Sequence, residues 1–200
     1  MIPFPRTIQL LHDGIAAGLH IGAQMVVSQN SGLMADVAIG ESQPGVPLNS
    51  DTLMFWMSAG KPITAVAIAQ LWERGKLSLD DTVAEHIPDF AAHGKELITI
   101  RHCLTHTAGF RGPMNNFTAG TWDEIISRIC AMRLEPRWTP GEKAGYHVAT
   151  SWFILGEIIR RASGENYSDY LRKEIFEPLK MPDAWIGMPE MQYHSYGDRL

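Results

Sequence analysis

Apolar positions change their period along this chain, and each change marks an element. Over residues 7 to 18, Ile8, Leu11 and Ile15, with Leu19 just beyond, recur at three- and four-residue spacing and predict an opening helix. "GAQMVVSQ" and "LMADVAIG" then alternate or run apolar on either side of "NSG", which predicts a β-hairpin. "ESQPGVPLNSD" reads as a connector of turn residues and leads to a short apolar run, Leu53 to Met57.

From Ala59 the period becomes helical. Ile63, Val66, Ala67, Ile68 and Leu71 predict a buried helix, with Pro62 tolerated in its first turn and Gly75 as its C-terminal cap. That places Ser58 at or just before a helix N-terminus. Downstream, "ITIRHCLTHTAGF" predicts a short helix capped by Thr99 and ended by Gly109. "TWDEIISRICAMR" carries Thr121 and Glu124 at capping-box spacing. "TSWFILGEIIRRASG" is amphipathic and ends at Gly164, and "YSDYLRKEIFEPL" is stopped by Pro178.

A hairpin followed by helices implies an α+β fold. A lone hairpin buries its faces poorly, so the pattern reads as an incomplete domain. The net charge of −5, with no basic run, points away from nucleic acid and acidic lipid. No apolar stretch approaches the roughly 18 to 20 residues that span a bilayer, so no membrane partner is expected. The start lacks a signal-peptide pattern, and Cys103 and Cys130 sit in apolar patterns as buried thiols; both features predict a cytoplasmic protein.

The chemistry centres on Ser58 and Lys61, three residues apart and therefore on one helical face. At a helix start the Ser58 N–H lacks an intrahelical partner and is available to an oxyanion. A lysine of ordinary pKa, about 10.4, is a poor base at neutral pH, so burial or a nearby cation would have to lower it. The tetrapeptide alone equally describes an N-cap serine beside a solvated lysine.

Its surroundings narrow the choice. "TLMFWMSAGKPITAVAIAQLWERGKLSLDDTVAEHIPDF", followed by "ITIRHCLTHTAGF", resembles the serine β-lactamase-related superfamily. That superfamily includes class C β-lactamases, D-alanyl-D-alanine peptidases and β-lactamase-like carboxylesterases. The resemblance covers about residues 14 to 187 and implies a β-lactamase/transpeptidase-like fold, with residues 1–57 as first helix and strands and 58–187 as nucleophile helix and helical lobe. It makes Ser58 the acylated nucleophile and Lys61 its proton acceptor.

The family's Tyr-x-Asn motif should follow a "PG" turn ahead of a long helix, and here stands "WTPGEKAGYHVATSWFILGEIIRRASG". Tyr146 takes the tyrosine position as proton relay. Val148 replaces the asparagine, a departure that counts against efficient β-lactam hydrolysis; His147 is the candidate substitute. The third motif, a Lys/His-x-Gly on a late strand, has no match after Tyr146, since "YHSYGD" has the wrong spacing. The chain is therefore expected to be roughly the first half of the family's domain.

Other candidates carry two readings each. The "GFRGPMNNF" loop either lines the cleft, with Asn115 or Asn116 reaching in, or is a solvated connector. His102 and His106, four apart, have zinc-like spacing but no third ligand nearby, and the resemblance explains "RHCLTHTAG" as a structural helix and turn, so no metal is expected; the acyl transfer that the resemblance implies needs no cofactor. The tryptophans and Cys103 read as core or cleft wall.

The function implied is a serine hydrolase acting through an acyl-enzyme on small-molecule esters or amides, with esters of small acyl groups favoured. The alternatives are a β-lactamase or D-alanyl-D-alanine carboxypeptidase, and an inactive relative or fragment serving as a binding module. Oligomeric state leaves no trace in the sequence.

Overall fold

The computed structural model describes residues 4–112 and 119–200. The chain divides into two compact units, Met1–Phe55 with Met188–Leu200, and Trp56–Gly187.

The first unit opens with α1 (Pro5–Ala16). Proline at its first position has no N–H to leave unpaired, and Gly18 at φ 68 ends it, its N–H bonding the Ile15 carbonyl while Leu19 N–H bonds Gly14. Leu19 lies past this stop and is 80% exposed, so it does not continue the face of Ile8, Leu11 and Ile15. Strands β1 (Gly22–Gln29) and β2 (Gly32–Gln43) pair antiparallel, Gln29 opposite Gly32, with a bulge at Val27/Ser28. Asn30 and Ser31 both take positive φ, as a two-residue I′ hairpin loop requires.

A further strand, β3 (Val46–Pro47), extends the sheet to the order β1-β2-β3. Gln43 faces Val46 across Pro44 and Gly45, and Gly45 has φ 82. In the sequence these residues look like a connector. Two residues, one of them a proline tolerated only at an edge, give no alternation to detect. Helix α1 packs on β1 and β2. Gln24 donates to the Asn49 and Thr52 carbonyls at 2.7 and 2.9 Å, and Leu53 N–H bonds the Arg199 carbonyl at 2.6 Å.

The second unit is helical around one apolar core. Met57–Gly60 forms a 3-10 turn and α2 runs Lys61–Glu73, two residues later than the start read from the apolar period. Leu71 and Trp72 carbonyls accept from Lys76 and Gly75, with Gly75 left-handed at φ 66. Along α2, Ala67, Ile68 and Leu71 are buried, whereas Val66, expected among them, is 47% exposed. The helix packs chiefly on α6 (Thr150–Ser163), whose Ile154, Leu155, Ile158 and Ile159 are fully buried, each contributing about 1.5–3 kcal/mol.

Shorter helices close the core: α3 (Val83–His86), α4 (Ile100–Leu104), α5 (Trp122–Cys130) and α7 (Tyr167–Leu171), which continues through a π turn to Phe176. Thr82, Thr99 and Thr121 each begin a helix with a full capping box, satisfying N–H groups that would otherwise be orphaned. Buried Glu157 on α6 accepts from the Trp122 indole at 2.7 Å and Arg161 at 2.6 Å, pinning α5 to α6. Among the described residues no helix is long and apolar enough to cross a membrane.

Candidate active site

Met57 has φ 45, a left-handed conformation that costs a non-glycine residue about 1–3 kcal/mol. The bend delivers Ser58 into the 3-10 turn just ahead of α2, exposed to solvent. Lys61 is the first residue of α2, and Pro62 follows where an N–H would have no partner. One turn apart, the Lys61 ammonium donates to Ser58 Oγ at 3.1 Å.

The third group comes from far along the chain. Tyr146 Oη lies 2.5 Å from Ser58 Oγ, and Lys61 Nζ is 5.0 Å from the Tyr146 ring centroid. Hydrogen bonding to Lys61 and then to Ser58 holds the phenol below the ordinary tyrosine range. The Trp152 ring, on α6, stands 5.7 Å from Lys61 Nζ.

Tyr146 sits on an irregular segment that the loop after α4 holds in place. Gly141 N–H bonds the Thr107 carbonyl and Gly145 N–H the His106 carbonyl. Arg111 pairs with Glu135 through two nitrogens at 2.8 and 2.5 Å, and its guanidinium lies 5.0 Å from the Trp138 ring centroid. Gly109, at φ 78, lets the Trp138 ring pass where a β-carbon would sit 2.1 Å from it.

Ser58, Lys61 and Tyr146 therefore meet, while His147, His102 and Cys103 do not join them. His147 is fully buried, its Nε2 accepting from the Gly109 and Phe110 N–H groups at 3.1 and 3.3 Å. Burial pushes its imidazole down to about 4, and the Gly145 carbonyl offsets this only in part; Nδ1 has no hydrogen-bond partner of good geometry. In place of the substrate-facing amide substitute expected, it is a clamp between two loops. Val148 is 40% exposed and offers no hydrogen bond. Asn115 and Asn116 lie outside the described residues.

His102 is committed to the start of α4, its Nδ1 accepting from Thr99 N–H at 3.2 Å. Among the described residues no cluster of histidine, cysteine and carboxylates could hold a metal ion. Cys103 is fully buried and its thiol is pushed up to about 12 by desolvation, so it behaves as core.

His106, four residues from His102, lies beside the site. Its ring lies 4.7 Å from that of Tyr146 and 5.6 Å from that of Trp152. The turn ends α4 with His106 in the left-handed position, φ 60, where Gly109 had been expected to end it. Thr107 N–H to the His102 carbonyl at 2.9 Å closes the cap. Nothing in apolar periodicity reports such a placement. Trp152 also lines a cavity of about 660 Å³, shared with Trp122, Phe153, Tyr167 and Ile186 and with the polar Asp123, Arg160 and Asn166.

Comparison with known proteins identifies the family. Residues 8–197 match the model of the Beta-lactamase family. Over 164 residues the chain is 34% identical to Penicillin-binding protein 4* of Bacillus subtilis, covering 76% of this chain and 35% of that protein. It is 28% identical to Esterase EstB of Burkholderia gladioli, covering 82% and 46%. A penicillin-binding protein homologue from Caulobacter crescentus superposes with a TM-score of 0.78 at 29% identity, covering 97% of this chain and 54% of its own. The chain thus spans about a third to a half of the length of the relatives it matches. A match that runs from the first helix past the tyrosine loop makes this protein a member of the beta-lactamase family.

Proposed function

We propose that the protein is a serine hydrolase that forms an acyl-enzyme on Ser58, acting on esters of small acyl groups. The observation that carries the reading is the convergence on Ser58 Oγ of Tyr146 Oη at 2.5 Å and Lys61 Nζ at 3.1 Å. The closer group, Tyr146, is the immediate proton acceptor; Lys61 favours its phenolate form and holds the serine oxygen in line.

Ser58 Oγ bonds to the substrate carbonyl carbon as its proton passes to the Tyr146 phenolate, and the oxyanion faces the Ser58 N–H at the helix start. The carbon–oxygen bond to the alcohol then breaks, and the departing alkoxide takes the proton back from Tyr146. Water repeats the sequence on the acyl-enzyme, restoring the serine and freeing the acid.

Two features favour an ester over a β-lactam. Val148 stands where the family's asparagine would bind an amide carbonyl, and the cavity that Trp152 lines is mostly apolar, with Asp123, Arg160 and Asn166 among its polar groups. Because the chain spans only part of its relatives, the activity of these 200 residues by themselves belongs to the proposal.

Mass spectrometry after treatment with a fluorophosphonate should find the adduct on the Ser58 peptide, and Ser58→Ala should abolish it. A chromogenic short-chain ester should turn over faster than a chromogenic cephalosporin; the reverse order would establish a β-lactamase or D-alanyl-D-alanine carboxypeptidase. A second reading, a non-catalytic binding module, is favoured by Val148 and by the lack of a Lys/His-x-Gly match after Tyr146, and requires that Ser58 stay unlabelled.

A further inference from the structure

The residues on either side of Tyr146 both bond to one histidine. Gly145 N–H donates to the His106 backbone carbonyl at 2.9 Å, and His147 N–H donates to His106 Nδ1 at 3.0 Å. Between these bonds the His106 ring lies against the Tyr146 ring, centroids 4.7 Å apart and planes inclined by 39°. We propose that His106 is a positioning residue for the Tyr146 phenol, gripping the peptides before and after it and backing its ring so that Oη is held on Ser58 Oγ.

The need for such a device follows from the surroundings of Tyr146. Its side chain is half exposed, and the segment carrying it, between the Gly141 turn and α6, has no regular secondary structure. A phenol on such a segment would sample many positions, and loss of about 1 Å of alignment can cost roughly a hundredfold in rate. His106 avoids that because its own backbone is fixed. It occupies the left-handed residue that terminates α4, with Thr107 N–H bonded back to His102. The conformation is uncommon for a non-glycine residue and is tolerated best by asparagine, aspartate and histidine.

The same bond sets the tautomer. Accepting at Nδ1 leaves the neutral ring's proton on Nε2. Groups that face His106 are Lys61 from α2, Tyr146 and His147 from the segment before α6, and the uncharged Trp152 indole from α6. Burial and then the Lys61 charge hold the ring below the ordinary histidine range, so it is neutral at neutral pH. Protonation in acid would convert Nδ1 from acceptor to donor, break the bond from His147 N–H and bring a second cation beside Lys61.

The inference rests on the hydrolase reading for its rate measurement, and a second measurement is independent of it. Ser58 labelling by a fluorophosphonate is followed against pH in the full chain, in His106→Ala and in His106→Asn. Asparagine accepts the left-handed backbone and offers Oδ1 where Nδ1 stood, but does not titrate. The alanine variant should lose about a hundredfold in labelling rate while remaining folded by thermal melting. The asparagine variant should recover most of that loss and lack the acidic fall of the parent.

A folded alanine variant labelled at the parental rate overturns the proposal, as does an asparagine variant no better than alanine. If the parent is unlabelled, the hydrolase reading fails and phenol titration decides the positioning role. The absorbance difference between each protein and its Tyr146→Phe counterpart reports that one phenol. In His106→Ala, or in His106→Asn should alanine not fold, the Tyr146 titration should move up toward the ordinary tyrosine value; a titration unchanged from the parent overturns the proposal.

Discussion

Tyr146 Oη and Ser58 Oγ stand 2.5 Å apart although 88 residues separate them in sequence. Neither group is placed by its own secondary structure alone. Ser58 is exposed by the left-handed turn at Met57, and Tyr146 is carried on a segment tied to the loop after α4. The pair therefore reports on the assembly of the helical unit as much as on chemistry.

Removing the phenol should expose its part in that chemistry. Tyr146→Phe is expected to slow fluorophosphonate labelling of Ser58 by about a hundredfold or more, the usual contribution of a positioned acid–base group. The acceptor is the deprotonated phenol, so the parental rate should rise with pH through the Tyr146 pKa. Lys61 and Ser58 hold that pKa low, so the rise should come at a lower pH than for a free tyrosine. The phenylalanine variant should show no such rise, and a variant as fast as the parent would remove Tyr146 from the mechanism.

Acid should weaken the fold through His147. Its imidazole titrates at about 4 when buried and near 6.5 when unfolded, so between those values the unfolded chain binds more protons and stability rises with pH. The contribution is complete above about pH 6.5 and falls by about 3 kcal/mol as pH drops to 4. His147→Gln can still accept from Gly109 and Phe110 N–H through Oε1 and does not titrate. Urea denaturation from pH 4 to 7.5 should show a flatter acid slope in the variant; an unchanged slope would assign the acid sensitivity elsewhere.

Lys95 predicts a stability effect remote from the site. It is wholly buried, donating to the Ala92 and Cys130 carbonyls at 2.7 and 2.9 Å and to the Met132 carbonyl, and so ties the end of α5 to the Pro88–Gly94 turn. Lys95→Met keeps much of the volume but leaves three carbonyls without that donor, a loss of about 3 kcal/mol or more. The urea midpoint should fall while the slope stays constant; an unshifted midpoint would mean that water replaces the ammonium at no cost.

Gly109→Ala tests the support beneath the tyrosine segment. The new methyl would meet Trp138 at 2.1 Å on a backbone at φ 78, combining a clash with conformational strain. Destabilisation of about 3 kcal/mol is expected, with slower Ser58 labelling in whatever fraction stays folded. A melting temperature within a degree of the parent would show that Trp138 can move aside freely.

Much of the architecture was legible because its determinants are local. Thr121 with Glu124 and Thr99 at the start of α4 mark helix starts through contacts within three residues, and Gly164 marks an end through its own backbone freedom. Asn30 and Ser31 close the hairpin for the same reason. Other features escaped: β3 is too short to show a period, and nothing in "HGKEL" announces a buried lysine. His147 looked available for substrate because it neighbours Tyr146, yet adjacent side chains on an extended segment point to different environments.

From its sequence alone this protein has a serine and a lysine on one turn, a tyrosine ahead of a long amphipathic helix, and the resemblance those segments carry. Spacing of three or four residues is converted into distance by the helix itself, so the Ser58–Lys61 relation needed no tertiary information. Only the folded chain decided that Tyr146 closes on that pair, that His106 grips the peptides around it and that His147 turns into the core. Those relations join segments 37 to 88 residues apart, and they exist because helix packing and loop-to-loop hydrogen bonds, not local propensity, set where such segments meet.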